Sequence, residues 1–224
     1  MTARALRTEA EPVSFPPPRR LPQGQPPFAG GALGIVSRKA AGEMLFLEGD
    51  PADHVYQVTS GLVSLYKFLP DGRRQIVDFP SRGRHLGFVA GDVYTCSAEA
   101  ITSVKVTITS RREFERMVGR QPELARKLLA ANLEEMQSAH DQLLLLGRKN
   151  AMEKVASFLI TLADRQKRGS GPIEVPMPRV DIADYLGLTI ETVSRTLSRL
   201  KSDGVIAFPH ATAVEIVGRD HLEE

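Results

Sequence analysis

Residues Asp181 to Asp203 read DIADYLGLTIETVSRTLSRLKSD, and the reading of this stretch decides the fold. Ile182, Ala183 and Leu186 fall on one face of a first short helix, and Val193, Leu197 and Leu200, spaced by four and three, fall on one face of a second. Gly187-Leu188-Thr189 supplies a turn between them, which gives the segment the form of a helix-turn-helix. Glu191, Ser194 and Arg195 stay outside in the first turns of the second helix, where such a unit presents side chains to base edges in the DNA major groove. Arginine can donate two hydrogen bonds to guanine O6 and N7, glutamate can accept from cytosine N4, and serine can do either.

Downstream, GVIAF, the turn PHAT and AVEIV alternate like two strands of a hairpin, a wing that carries Pro209 and His210 toward the DNA backbone. Upstream, Arg148 to Arg168 reads as an amphipathic helix burying Val155, Phe158, Leu159 and Leu162, and RGSGP links it to the helix-turn-helix. Before it, from about Pro122 to Gly147, Leu129, Asn132, Met136, Ala139, Leu143 and Leu146 recur at alternating three and four, the seam of a parallel coiled coil. Asn132 in the seam fixes register, Ala139 lets two helices approach closely, and Leu144 and Leu145 remain to pack inward. A helix lying only on its own protomer is the alternative. Gly147-Arg148 is the expected hinge.

From Gly34 to about Ile108 the chain has short alternating runs such as Leu62 to Phe68 and Val104 to Ile108, the pattern of a small all-β domain. Asp71-Gly72, Glu48-Gly49-Asp50-Pro51 and Ser60-Gly61 mark its turns. Residues Met1 to about Phe28, with Pro16-Pro17-Pro18 and Pro26-Pro27, have no periodicity that could bury a face and read as a disordered tail.

Composition limits the classes open to the chain. It has 224 residues, a 42% hydrophobic fraction and a net charge of +2, so attraction to DNA rests on a local patch formed by Arg179, Arg195, Arg199 and Lys201. No run of about 18 apolar residues is present for a membrane span, and no apolar segment of a secretory signal, so a cytoplasmic protein is expected. Neither a nucleophile with its base, nor a phosphate-cradling glycine loop, nor a carboxylate pair is apparent, which argues against an enzyme.

Glu191-x-x-Ser194-Arg195 and its flanks resemble the recognition helix of the CRP/FNR superfamily of bacterial transcription regulators, in the order of its FNR and FixK branches. The stretch GEMLFLEGDPADHVYQVTSGLVSLYKFLPDGRRQIV is similar to the β-roll of the same superfamily. The resemblance runs from about residue 34 to the end. It implies a homodimer on a TTGAT-N4-ATCAA palindrome, with Glu191, Ser194 and Arg195 reading bases, Arg179, Thr189 and Thr192 on phosphates, and RNA polymerase as partner. Ile190 either touches a thymine methyl or packs partly buried. Pro178 departs from the pattern, because relatives carry a capping Thr or Ser there and proline cannot cap through its side chain.

Cyclic-nucleotide-binding relatives carry Gly-Glu and then Arg-Ser, where this chain has Gly87-Phe88 and Cys96-Ser97, so the acid and the base that would hold ribose and phosphate are both missing. Arg82 and Arg84 lie nearby as a solvated pair or the holders of another anion. A cluster needs about four thiolates, and the chain has the single Cys96, read as a small core residue with a redox role as the alternative. His54, His85, His140, His210 and His221 lack ligand spacing, so no metal is expected.

The expected fold is α+β: a tail over 1–30, a jelly-roll sensor-like domain over 31–118, a dimerisation helix over 119–148 and a winged helix-turn-helix domain over 149–224. The expected function is sequence-specific activation of transcription without cofactor, serving genes of microaerobic or anaerobic respiration or nitrogen metabolism. The alternatives are a regulator of denitrification responsive to haem or nitric oxide, and a ligand-binding β-roll protein whose helix-turn-helix is vestigial.

Overall fold

The computed structural model describes residues 34–166 and 171–218, so the reading of residues 1–30 as a disordered tail lies outside the described residues. Eight strands come first: β1 (Ile35–Lys39), β2 (Met44–Phe46), β3 (His54–Ser60), β4 (Val63–Phe68), β5 (Arg74–Asp78), β6 (His85–Leu86), β7 (Ser97–Ala100) and β8 (Val104–Ser110). They make two antiparallel four-stranded sheets, in the orders β1-β8-β3-β6 and β2-β7-β4-β5. Val58, Val104 and Val106 from the first sheet meet Val63, Ala98 and Ala100 from the second in one dry core. Asp71-Gly72 closes the β4–β5 hairpin as expected, with Gly72 at φ +83° donating its N–H to the Leu69 carbonyl. Ser60-Gly61 instead carries the chain from one sheet to the other. A Cβ on Gly61 would stand 2.4 Å from the Ser103 carbonyl oxygen, so only glycine fits.

Helix α1 (Arg111–Arg120) follows at once, started by Ser110, whose hydroxyl accepts the Glu113 N–H. It buries only Phe114 among its ten residues, so hydrophobic periodicity gives little sign of it. Helix α2 (Pro122–Arg148) has proline at its first turn. Its end falls directly after the expected hinge region. The helix runs through Gly147 and Arg148, and the break falls at Lys149-Asn150, where the Asn150 side chain accepts the Met152 and Glu153 N–H groups and Glu153 reaches back to the Asn150 N–H.

Helix α3 (Ala151–Gln166) buries Val155, Ala156, Phe158, Leu159 and Ala163, while Leu162 is half-buried. Strand β9 (Ile173–Glu174), helix α4 (Arg179–Leu186), helix α5 (Ile190–Ser202) and strands β10 (Ile206–His210) and β11 (Ala213–Ile216) complete the described chain. The wing has three strands in the order β10-β11-β9, one more than the expected hairpin, because Ile173-Glu174 pairs with Val214-Ala213. Two residues of strand leave too short a pattern to read in sequence. Pro209 lies where the β10–β11 register shifts, an irregularity at which its missing N–H costs nothing.

A second core joins the two halves of the protomer. Tyr66, Ile76 and Phe79 of the β-roll pack with Leu145 of α2, Val155, Phe158 and Leu159 of α3, and Ile182, Tyr185 and Leu186 of α4.

Candidate DNA-binding surface

Helix α4 is eight residues long, too short to persist in water by propensity, and it is held by packing and by its ends. Pro178 stands at its N-cap with no side-chain hydrogen bond, and the Pro178 carbonyl takes the Asp181 and Ile182 N–H groups. Gly187, left-handed at φ +61°, ends it, and the Gly187 and Leu188 N–H groups both reach the Ala183 carbonyl. Thr189 then caps α5, its hydroxyl accepting the Thr192 N–H at 3.2 Å. The turn and both caps therefore fix the angle at which α5 leaves the domain.

Val193, Thr196, Leu197 and Leu200 anchor α5 on its inner side, and Glu191, Ser194 and Arg195 stand together on its exposed side. Ile190 is 43% exposed, which places it on the outward face and not in the core. The Glu191 carboxyl is held below the usual carboxylate range by its own backbone N–H, then by the Thr189 hydroxyl and by the charge of Arg195. An ionised acceptor beside an arginine donor is the pair of groups that a cytosine amine and a guanine edge require.

The expected phosphate contacts are arranged differently from one another. Thr189 is engaged as the α5 cap, and its hydroxyl lies 3.1 Å from that of Thr192. Arg179 is half-buried, its guanidinium carbon 5.5 Å from the centre of the Phe208 ring, and burial pushes its pKa down. Lys201 approaches the same ring at 5.9 Å. Phe208 is a residue that the sequence reading missed, since an aromatic in a wing strand reads as core. His210 lies on the exposed wing, 4.0 Å from Glu174 and 3.4 Å from the Thr212 hydroxyl.

On α2 the apolar residues divide between two faces. Leu128 and Leu145 are buried and Leu146 is half-buried against the protomer core, whereas Leu129, Leu133, Met136, Leu143 and Leu144 are more than half exposed. Ala139 and Asn132 are exposed too, and the Asn132 amide donates to the Leu128 carbonyl of its own helix. Leu146 and Leu144 thus stand opposite to their expected places. At 3.6 residues per turn, α2 carries position 146 off a strict heptad seam and onto its core-facing side.

In the β-roll, Phe88 is exposed and edge-on to Phe114 at 5.2 Å, and Ser97 is buried with its hydroxyl accepting the Glu48 N–H. Arg84 is no open anion holder, because it bridges Asp78 and Glu135. Burial pushes the Cys96 thiol up, which works against a reactive thiolate. Among the described residues no group of three or more His, Cys, Asp or Glu could hold a metal ion, and no helix is long and apolar enough to cross a membrane.

An exposed polar face on the second helix of a winged helix-turn-helix, joined through a long helix to a β-roll, is the architecture of a DNA-binding transcription regulator. Residues 37–121 match the cyclic nucleotide-binding domain family and residues 153–224 the Crp-like helix-turn-helix domain family. The nitrogen fixation regulation protein FixK of Rhizobium meliloti is 42% identical over 89% of this chain and 90% of its own length. The transcriptional activatory protein AadR of Rhodopseudomonas palustris is 45% identical over 73% of this chain and 70% of its own. The structure of FixK2 from Bradyrhizobium japonicum superposes with a TM-score of 0.79 at 41% identity, covering 86% of this chain and 96% of that one. The chain belongs to the CRP/FNR family of transcription regulators, in its FixK-like branch.

Proposed function

We propose that the protein binds a TTGAT-N4-ATCAA-like palindrome as a homodimer and activates transcription there, with no small effector required. The carrying observation is the exposed triad Glu191, Ser194 and Arg195 on a helix whose entry angle is set by two caps. Its order is the one that the FixK-like resemblance assigns to base reading, with Ile190 beside it and Arg179, Thr189 and Thr192 near the backbone. Dimerisation would use Leu129, Asn132, Met136, Ala139 and Leu143, where the α2 stripe of apolar residues is bare in a single protomer. A two-fold axis along α2 would present two recognition helices about 34 Å apart, one turn of DNA.

Freedom from a cyclic nucleotide is supported by Phe88 and Cys96 at the positions where binders carry an acid and a base. The rings of Phe46, Tyr56 and Tyr94 pack against one another within the β-roll core. The R. meliloti relative is a nitrogen fixation regulation protein, which supports genes of nitrogen metabolism as targets; low-oxygen respiration genes and RNA polymerase as the partner follow from the FixK-like resemblance.

The test is a titration at fixed salt of the full chain, with nothing added, on a duplex carrying the palindrome and on a scrambled one. Selective binding supports the reading. Equal binding to the two duplexes overturns it.

A further inference from the structure

The first helix of the helix-turn-helix is not completed by its own domain. Arg74, on the edge strand β5 of the β-roll, pairs with Asp181 and, through its Nε at 2.7 Å, with Asp184, both on α4. The carbonyl of Asp184 accepts from the side-chain amide of the neighbouring Gln75 at 2.6 Å. The carbonyl of Tyr185 accepts from Gln142 of α2 at 2.9 Å and, more weakly, from Gln75 at 3.4 Å. These two carbonyls lie in the last turn of α4, where the helix has no further N–H to offer them and no basic residue of its own. Donors from the β-roll and α2 therefore serve groups that capping residues usually serve.

Arg74 is built to hold this position. Tyr66 lies under its guanidinium at 5.4 Å from the ring centre, its charge reaches Glu99, and its side chain is only 23% exposed. Burial opposes its charge, but the hydrogen bond to Asp184 and the charge of Asp181 outweigh that and raise its pKa. Nothing in this contact covers Glu191, Ser194 or Arg195, which remain exposed on the far element of the motif.

We infer that Arg74, seconded by Gln75 and Gln142, is a positioning residue for DNA reading: it fastens α4 to the β-roll and thereby sets where α5 stands relative to the dimer axis without touching DNA. This deepens the function proposed above and rests on it. In a regulator that needs no effector, a standing bridge between β5 and α4 would do what ligand binding does elsewhere, keeping the competent arrangement populated. Affinity then scales with the fraction of molecules in that arrangement.

The test takes Arg74→Gln, Arg74→Lys, Asp184→Asn and the double variant Arg74→Gln with Asp184→Asn through two measurements on the full chain. The first is hydrogen exchange without DNA. Arg74→Gln should exchange faster in α4 and at the Lys149-Asn150 hinge, with strands β3 and β8 unchanged. The second is binding to the palindrome and to single-base variants of it. Arg74→Gln should bind about tenfold more weakly to all of them with the same selectivity ratio, Arg74→Lys should recover part of the loss, and the double variant should be no weaker than the worse single one. Unchanged exchange in α4, a changed selectivity ratio, or additive losses in the double variant would each overturn the inference. Failure of the unsubstituted protein to select the palindrome would sink the function proposed above, while the exchange arm, which uses no DNA, would still decide whether Arg74 holds α4.

Discussion

The guanidinium of Arg179 and the ring of Phe208 lie 5.5 Å apart, which ties the start of the helix-turn-helix to the wing strand that follows it. Lys201 meets the same ring, so one aromatic side chain gathers two cations of the winged helix-turn-helix domain. Each contact of this kind stabilises by about 0.5–1 kcal/mol at a partly exposed site. Phe208→Leu releases both cations and should therefore weaken binding by up to about 1–2 kcal/mol, roughly five- to thirtyfold, on specific and scrambled duplexes alike. Competition titrations check this, and a change confined to one base position would refute it.

Arg195 should behave in the opposite way. It is exposed on α5, one turn from Glu191, and a bidentate contact to guanine discriminates by about 1–3 kcal/mol. Arg195→Ala should lose that much on the palindrome and little on scrambled DNA, with relaxed preference at one base pair. Unaltered selectivity in a panel of single-base duplexes would remove Arg195 from the reading face.

The lowered pKa of Glu191 carries a pH prediction. Because its own backbone N–H and the Thr189 hydroxyl favour the ionised form, the carboxylate persists as pH falls and is lost only below the ordinary value of about 4.3. Preference for cytosine at its base position should thus stay flat from about pH 8 to about pH 5. Glu191→Gln should lose that preference across the same range. A preference that fades between those limits in the unsubstituted protein would point to a different acceptor.

The helix-turn-helix was legible because the features that mark it in the sequence are local, even though distant donors complete the end of α4. Apolar spacing, a glycine at the helix end and a threonine at the next helix start lie within one stretch of sequence. The β-roll turns were legible for the same reason. What sequence could not expose depends on distant partners. Arg74 and Asp184 are 110 residues apart, and neither carries a mark that distinguishes it from a solvated charge. Arg84 looked like a free cation until Asp78 and Glu135 closed on it. Leu144 and Leu146 follow the same rule, since four consecutive leucines from 143 to 146 leave the seam ambiguous until the core claims two of them.

Gly187 gives a test of the turn itself. A Cβ there would meet only Leu146 at an ordinary 3.6 Å, so the obstacle to substitution is the left-handed backbone and not space. Gly187→Ala should cost about 1–2 kcal/mol of stability, and Gly187→Asn less, because asparagine tolerates that conformation. Thermal melts of the two variants check the order. Equal melting temperatures would show that the strain is taken up elsewhere.

Leu143 and Leu146 sit three residues apart on α2 and should fail in different ways. Leu143 is 67% exposed in the protomer, so a second copy that covered it would contribute about 1.5–3 kcal/mol for each side chain. Met136→Glu with Leu143→Glu should turn a dimer into a monomer in sedimentation analysis while circular dichroism is retained. Selective binding to the palindrome should fall with it, because a lone recognition helix holds one half-site. Leu146, packed against its own protomer core, should do the reverse. Leu146→Ala lowers the melting temperature through the cavity it leaves, yet the dimer survives at concentrations where the protein is folded. If the glutamate pair left sedimentation unchanged, the exposed α2 stripe would not be the dimer seam, and the bare leucines would face some other partner.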